Sequence, residues 1–235
     1  MEDVVYRTCA VMMRGVLRCF SSWRVEGLAN VPASGPLIVV ANHLSNTDPP
    51  VLAASVPRRL HYLAKAGVFK PPVRTFLKAY GAHPLDRDGQ DFQAMLWARR
   101  LLGRDGSLAL FPEAHRNPTT GLQRPMPGVA LLAARTQTPL LPVGITGTEN
   151  MGPLWRVAIP TGRITVRIGE PFRLPPPEGR PNRAVWQSLA DSVMARVATL
   201  LPPEYRGVYR DDAPSGGPEG EPLGPEGRAE SNGRG

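Results

Sequence analysis

A histidine and an aspartate five positions apart, His43 and Asp48, are the residues of this chain best suited to chemistry. They follow residues 37–41, an apolar run rich in β-branched side chains that predicts a buried strand. Two prolines after Asp48 indicate the start of a helix, so the pair brackets a strand-to-helix loop. In α/β sheets such loops carry functional groups. A histidine there can take a proton near neutral pH, while the carboxylate orients the ring and stabilises its cation.

The same pair also has a purely structural interpretation. Asp48 can be the N-cap of the helix, a role worth about 1 kcal/mol, and His43 can be an ordinary loop histidine. Three later segments favour the catalytic interpretation. They are residues 81–87, which end in a basic residue; residues 108–116, a strand followed by a charged loop; and the apolar run 140–145.

In order and spacing, these four segments resemble the sequence blocks of the glycerolipid acyltransferase family, typified by 1-acylglycerol-3-phosphate acyltransferase. The family blocks are a histidine, four residues and an aspartate; a glycine followed by a segment ending in arginine; Phe-Pro-Glu-Gly-Thr-Arg; and a Val-Pro-Val-Gly-like strand. The resemblance covers residues 25 to 170. This chain departs from it at Ala114 and His115 in the third block, and at His83, where the family usually carries an aromatic residue. These changes concern the acceptor pocket more than the chemistry.

The resemblance implies a set of substrate-binding residues. Arg87 and Arg116 occupy the family's two phosphate-contacting positions, and guanidinium groups suit phosphate because they form bidentate, charge-assisted hydrogen bonds. Glu113 would orient Arg116 or the acceptor hydroxyl. Lys65 resembles a basic position that follows the second strand in the family. Without the motif context, ordinary surface salt bridges would explain such arginines.

The implied reaction moves an acyl group from a thioester to an alcohol, with His43 and Asp48 as catalytic residues. His43 would deprotonate the acceptor hydroxyl directly. A covalent route needs a nucleophile, and Cys9 and Cys19 lie in a segment better explained as a membrane helix. We therefore predict a ternary complex without a covalent intermediate.

The predicted function is transfer of a fatty acyl group to the free hydroxyl of lysophosphatidic acid, giving phosphatidic acid in phospholipid biosynthesis. The donor substrate would be acyl-CoA or acyl carrier protein, and no cofactor is expected. Glycerol-3-phosphate, another lysolipid or an amine lipid are the alternative acceptors within the family.

Composition fits one enzyme domain with two appendages. A chain of 235 residues with 42% hydrophobic content can bury a sizeable core, which we assign to residues 25–209. Helix-like stretches at residues 93–102, 128–135 and 184–201 alternate with strand-like stretches, such as residues 164–168, where apolar and polar side chains alternate. This order predicts a single-domain, layered α/β fold with helices on the sheet faces. The resemblance implies a mostly parallel or mixed sheet. Residues 210–235 are rich in Gly, Pro and Glu and are predicted to be disordered.

The first 24 residues indicate what the positively charged part of the protein binds. The tail has three Arg against six acidic residues and the chain carries +8, so residues 1–209 carry +11. Three arginines fall within one helical sector about 40° wide; they are Arg7, Arg14 and Arg18. Such an amphipathic helix lies in the interface of an anionic membrane, with Phe20 and Trp23 as anchors. A core-facing helix and a signal peptide are the alternatives. We predict a monotopic enzyme on the cytoplasmic face that binds no nucleic acid.

Two other classes of protein stay open as alternatives. His115 joins His43, Asp48 and Glu113 as residue types of a metal-dependent hydrolase, although no paired motif such as two His on one helix turn is present. A non-catalytic protein that binds membrane or nucleic acid would use the positive charge alone. That interpretation leaves the four ordered segments unexplained.

Overall fold

A seven-stranded mixed sheet forms the centre of the fold in the computed structural model, which describes residues 2–71, 73–85, 92–113, 115–117, 121–151, 154–177 and 179–210. The strands are β1 (Ser21–Glu26), β2 (Leu37–Ala41), β3 (Leu60–Lys65), β4 (Ala82–Leu85), β5 (Ser107–Leu110), β6 (Leu140–Thr146) and β7 (Gly162–Ile168). The α-helices are α1 (Glu2–Phe20), α2 (Asp48–Ser55), α3 (Val73–Ala79), α4 (Phe92–Leu102), α5 (Gly128–Thr136) and α6 (Arg183–Thr199). Short 3₁₀ helices are found at Leu28–Asn30, Ala66–Val68, Leu154–Val157, Pro203–Tyr205 and Gly207–Tyr209.

The strand order is β1-β7-β6-β2-β5-β3-β4. Strands β6 and β7 are antiparallel, whereas the other neighbouring pairs are parallel. Central strand β2 is buried on both faces, because Leu37, Val39 and Ala41 pack into one core and Ile38 and Val40 into the other. A strand covered on both sides has an unbroken apolar sequence, which is the pattern that predicted it.

Helices cover both faces of this sheet. Helices α1, α2 and α3 pack together on one face, and α4, α5 and α6 pack together on the other. The predicted α/β fold with a central mixed sheet flanked by helices is confirmed. The helices expected at residues 93–102, 128–135 and 184–201 are α4, α5 and α6, with ends that differ by no more than two residues.

Helix α1 is shorter than the 24-residue segment predicted for it. It ends at Phe20, and residues 21–26 form strand β1, which pairs in parallel with β7. Trp23, predicted as a membrane anchor on the helix, is therefore a half-buried strand residue packed against the core. The boundary between helix and domain at residue 24 is wrong, since the sheet already includes residues 21–24.

One face of α1 belongs to the core. Four of its residues recur at helical spacing and are buried: Tyr6, Ala10, Met13 and Leu17. The Nε of Arg14 donates to the carbonyl oxygen of Ala54 at the end of α2, 2.7 Å away. The core-facing alternative therefore holds for this side of the helix. None of the helices in the described part of the chain combines the length and the apolar run that crossing a bilayer requires.

Residues 211–235, nearly all of the tail predicted to be disordered, lie outside the described residues. Near the other end of the chain, the thiols of Cys9 and Cys19 on α1 are both free.

Candidate active site

The carboxyl ends of the parallel strands meet at one edge of the sheet, and the predicted site residues that the structure describes lie there. His43 follows β2, Lys65 ends β3, and Glu113 follows β5. Strand β2 lies between β5 and β6, so its loop is flanked by the loops that follow those two strands. This edge is where open α/β sheets form their binding crevice.

His43 and Asp48 form a hydrogen-bonded pair in the loop after β2. The Nδ1 of His43 lies 2.8 Å from Oδ2 of Asp48. The same oxygen accepts from the backbone N–H groups of Leu44 at 2.6 Å and Ser45 at 2.7 Å. The other oxygen, Oδ1, accepts from Oγ1 of Thr148 at 2.5 Å. Asp48 is fully buried, and these four donors satisfy a carboxylate that burial alone would destabilise.

This arrangement fixes which nitrogen of His43 can accept a proton. A carboxylate only accepts hydrogen bonds, so Nδ1 carries the hydrogen and Nε2 keeps its lone pair. The His43 side chain retains 18% of its surface exposed. Phe111 stacks on the imidazole with ring centroids 4.3 Å apart, which fixes the plane of the ring. The N-cap of α2 is Thr47 and Asp48 is the first helical residue, so the interpretation of Asp48 as an N-cap does not hold.

Glu113 supports the histidine from the neighbouring strand. Its Oε1 accepts from the backbone N–H of His43 at 3.1 Å, and its Oε2 accepts from that of Gln123 at 3.0 Å. Burial raises the pKa of the Glu113 carboxyl to about 7. The sequence predicted a substrate-binding role for this residue. In the structure both of its oxygens hold backbone groups of the protein, and the substrate-binding role stays a prediction.

This pKa predicts how Glu113 links stability to pH. The folded pKa of about 7 is above the ordinary value of 4.5, so the contribution to stability is full below pH 4.5 and is lost as pH rises through 7. The free energy of unfolding of the wild type, relative to Glu113→Gln, should fall by about 3 kcal/mol between pH 4 and pH 8. Urea denaturation of both proteins measures this difference. A difference that does not change with pH would contradict the prediction.

The loop after Glu113 carries Arg116 against the catalytic turn. The side chains of His115 and Arg116 are exposed. The backbone N–H of the next residue, Asn117, donates to the carbonyl oxygen of His43 at 2.8 Å. Arg116 is thus one residue away from a direct backbone contact with His43.

One of the other two predicted cations, Lys65, lies toward the β4 side of the sheet. Lys65 is exposed at the end of β3, and its register partner is Leu85, the last residue of β4. Arg87 lies outside the described residues. Lys65 and Leu85 therefore lie at the same edge of the sheet as His43.

The residue types proposed for a metal site do not converge. Within the described ranges, no three His, Cys, Asp or Glu side chains form a group that could hold an ion. The carboxylate oxygens of Asp48 and Glu113 instead accept hydrogen bonds from protein donors.

Three site residues escaped the sequence reasoning. Thr148 bonds to Asp48, and Asn42 exchanges two hydrogen bonds with the backbone of Ile145, which joins the ends of β2 and β6. Gln123 holds Glu113 through its backbone. The available signal was position: Asn42 follows β2 directly and Thr148 follows β6, and polar residues at the carboxyl ends of adjacent strands meet.

The fold and site define an α/β protein that presents a hydrogen-bonded His–Asp pair at the carboxyl edge of its sheet, with the aspartate buried and the histidine partly exposed. A model of the acyltransferase family matches residues 22–146, more than half of the chain. The 1-acyl-sn-glycerol-3-phosphate acyltransferase of Bacillus subtilis is 23% identical over 199 residues, covering 83% of this chain and 96% of that protein. The chloroplastic LPAT1 of Arabidopsis thaliana is 29% identical over 158 residues, covering 65% of this chain and 44% of that protein.

A solved structure agrees with these relatives. The crystal structure of the 1-acyl-sn-glycerophosphate (LPA) acyltransferase PlsC from Thermotoga maritima matches with a TM-score of 0.66 and 26% identity. The match covers 85% of this chain and 80% of that one. The chain belongs to the glycerolipid acyltransferase family and is an O-acyltransferase.

Proposed function

We propose that this enzyme transfers a fatty acyl group from an acyl thioester to the free hydroxyl of lysophosphatidic acid, forming phosphatidic acid. The observation that carries the proposal is the His43–Asp48 pair, oriented with its Nε2 available, in a chain whose relatives are named 1-acyl-sn-glycerol-3-phosphate acyltransferases. Acyl-CoA and acyl carrier protein are the two candidate donors. Both are acidic and suit a strongly basic protein.

The proposed reaction is a direct attack within a ternary complex. The acceptor oxygen forms a bond to the thioester carbonyl carbon while Nε2 of His43 takes its proton. Asp48 stabilises the imidazolium through Nδ1. The tetrahedral intermediate then collapses, the C–S bond breaks, and the proton passes from His43 to the leaving sulfur. An ester and a free thiol result, so no covalent acyl-enzyme is needed.

The phosphate of the acceptor accounts for the cations at this edge. Arg116 follows Glu113 on the loop that contacts the His43 backbone, and Lys65 is exposed where β3 ends. A guanidinium beside the catalytic turn can bind the phosphate while the hydroxyl reaches Nε2. Arg87 completes the proposed set of cations by its family position.

Loss of Arg116 should raise the KM for the acceptor more than the KM for the donor. We expect Arg116→Ala to raise the KM for lysophosphatidic acid by about 10- to 100-fold while changing the donor KM by less than about threefold. Steady-state kinetics with each substrate varied in turn measures both values. Arg100→Ala, an exposed arginine on α4, is the matched control and should change neither. Equal effects of Arg116→Ala on the two KM values would identify Arg116 as structural.

The acceptor is tested by product analysis. Labelled palmitoyl is supplied from CoA and from acyl carrier protein in turn, with lysophosphatidic acid, glycerol-3-phosphate, other lysolipids and an amine lipid as acceptors. We expect labelled phosphatidic acid to be the main product. Preferential labelling of another acceptor would support the acyl-transfer reaction but contradict lysophosphatidic acid as the acceptor.

The outward face of α1 supports a location at an anionic membrane. Opposite its core-facing residues, Val4, Val11 and Met12 remain 66%, 63% and 64% exposed. Arg7 and Arg18 are exposed on the same helix. Apolar side chains flanked by cations are typical of a helix that lies in the interface of an anionic bilayer. The helix would thus pack on the core with one face and on lipid with the other.

Helix α3 extends this surface. It packs beside α1, and Phe76 is 50% exposed although its ring stacks on Tyr80. The chain from residue 49 to residue 85 contains six Lys and Arg and no Asp or Glu. Lys70, Arg74 and Lys78 in this stretch are exposed. Helix α3 therefore adds basic and apolar side chains to the surface that α1 would offer to an anionic membrane.

A single charge should test this membrane contact. We expect Val11→Glu to lower the fraction bound to vesicles with anionic lipid by about 10-fold or more, because the carboxylate meets the negative surface in place of an apolar side chain. Val185→Glu, an exposed valine on α6 at the other face, is the control and should bind as wild type. Vesicle sedimentation measures the bound fraction. Unchanged binding of Val11→Glu would exclude α1 as the contact. Deleting residues 1–22 is a poorer test, since it also removes four core residues.

A further inference from the structure

We propose that Thr148 and Tyr205 are positioning residues for the His43–Asp48 pair, with Tyr205 acting as a brace between the two loops that hold it. The inference rests on the proposed role of His43 as general base. Both residues lie outside residues 22–146, the part of the chain that matches the family model. The brace is therefore a property of this chain that the family match does not assign.

Thr148 holds the side of Asp48 that the catalytic turn does not reach. Its Oγ1 donates to Oδ1 at 2.5 Å, whereas Oδ2 takes all three donors from residues 43–45. Thr148 and Asp48 are both completely buried. With both oxygens held, the carboxylate cannot rotate away from the imidazole, and Thr148 ties the orientation of His43 to the loop after β6.

The backbone of the loop that carries Thr148 is also held in place. The residue before it, Gly147, has a φ of +86°, and a Cβ there would lie 1.8 Å from the carbonyl oxygen of Arg163. Only glycine fits this close approach. The N–H of Gly147 donates to Oε2 of Glu149 at 3.0 Å. Glu149 follows Thr148 and bonds to Gly147, which precedes it, so this hydrogen bond closes the turn around Thr148.

Tyr205, which lies near the end of the described residues, holds Glu149 in place. Its hydroxyl donates to Oε1 of Glu149 at 2.9 Å. Burial, followed by the neighbouring Glu149, raises the pKa of the Tyr205 hydroxyl to about 12, so it remains a donor at neutral pH. A chain of contacts therefore connects the Tyr205 hydroxyl to Asp48 through Glu149, Gly147 and Thr148.

The backbone of Tyr205 also reaches the other supporting loop. Its carbonyl oxygen accepts from the N–H of Leu122 at 2.9 Å. The next N–H along the chain, that of Gln123, holds Glu113, which holds the backbone of His43. A Cβ on Gly207 would lie 2.1 Å from the carbonyl oxygen of Leu122, so the two segments are in close backbone contact. One residue near the end of the described chain thus joins both sides of the catalytic pair.

The test compares substitutions that remove one hydroxyl each. We expect Thr148→Val to lower kcat by about 10- to 100-fold and Tyr205→Phe by about 3- to 10-fold, with both KM values within about twofold of wild type. Thr148→Ser keeps the donor and should restore most of the activity. Thermal unfolding of each variant separates loss of positioning from loss of the fold.

Tyr209 provides a matched control in the same segment. Its hydroxyl donates to Oδ1 of Asp191 on α6 at 2.9 Å, and its side chain is more buried than that of Tyr205. Tyr209→Phe removes a comparable bond that does not lead to the active site, so it should lower the melting temperature and leave kcat unchanged. Equal effects of Tyr205→Phe and Tyr209→Phe on kcat would contradict the proposed positioning role of Tyr205.

A double-mutant cycle tests whether Tyr205 acts through Thr148. Once Thr148→Val has broken the path, adding Tyr205→Phe should cost less than about twofold more in kcat, whereas independent residues would multiply their effects. Full multiplication would contradict the path. His43→Ala in the same assay separates failure of the brace from failure of the general base. If His43→Ala is inactive but Thr148→Val is fully active, only the brace fails; if His43→Ala is active, the proposed function itself fails.

Discussion

Asp48→Asn should lower kcat by about 10²- to 10³-fold and leave the fold intact. The asparagine oxygen can still accept from the N–H groups of Leu44 and Ser45. Its amide can donate to Thr148, since a hydroxyl accepts as well as donates. What disappears is the negative charge 2.8 Å from Nδ1 that stabilises the imidazolium of His43. The loss should therefore be in the chemical step and not in binding.

The measurement is steady-state kinetics together with unfolding by urea. We expect unchanged KM values, since Asp48 is completely buried and is separated from the acceptor by the imidazole. Asp191→Asn is the control, because Asp191 also accepts from a hydroxyl but lies on α6, away from the site. If Asp48→Asn keeps wild-type kcat, the carboxylate only stabilises the turn.

Local patterns were sufficient to predict most of the fold. The apolar run of β2, the alternating residues of β7, and the apolar spacing of α4 each reflect the side of the element that is buried. Those patterns depend on a period of two or 3.6 residues, which a sequence displays directly. The His43–Asp48 pair was also accessible, because a single tight turn brings both residues together.

Contacts between distant segments could not be predicted in this way. Thr148 and Asp48 are 100 positions apart in the chain, and Tyr205 and Glu149 are 56 apart. Their proximity depends on β6 lying beside β2 and on the segment around Tyr205 returning to the site. Neither the order of the strands nor the path of the segment around Tyr205 is encoded in a local sequence pattern. The backbone partners of Glu113 were missed for the same reason, because a motif does not reveal them.

Helix α1 shows a different limit of sequence reasoning. An almost wholly apolar helix with an arginine stripe fits a membrane surface and a protein core equally well. Tyr6 and Leu17 pack into the core while Val4 and Val11 remain exposed, so the helix has two apolar faces, of which one is buried and one is exposed. Hydrophobicity measures the tendency to leave water and does not distinguish the two destinations.

His43→Ala should lower activity even more than Asp48→Asn does. Removing the imidazole leaves no side chain in the turn that can take the hydroxyl proton, so kcat should fall by about 10³-fold or more. The carboxylate of Asp48 would keep three of its four donors, which are Leu44, Ser45 and Thr148. The turn should therefore retain its structure, and the loss should be chemical.

The most direct test is the initial rate of labelled palmitoyl transfer to lysophosphatidic acid by the wild type, His43→Ala and His61→Gln. His61 is half-buried at the start of β3, at the other edge of the sheet, and controls for the loss of a histidine. We expect labelled phosphatidic acid from the wild type and His61→Gln, and a rate lower by about 10³-fold or more from His43→Ala. Full activity in a folded His43→Ala protein would contradict the assignment of His43 as the general base.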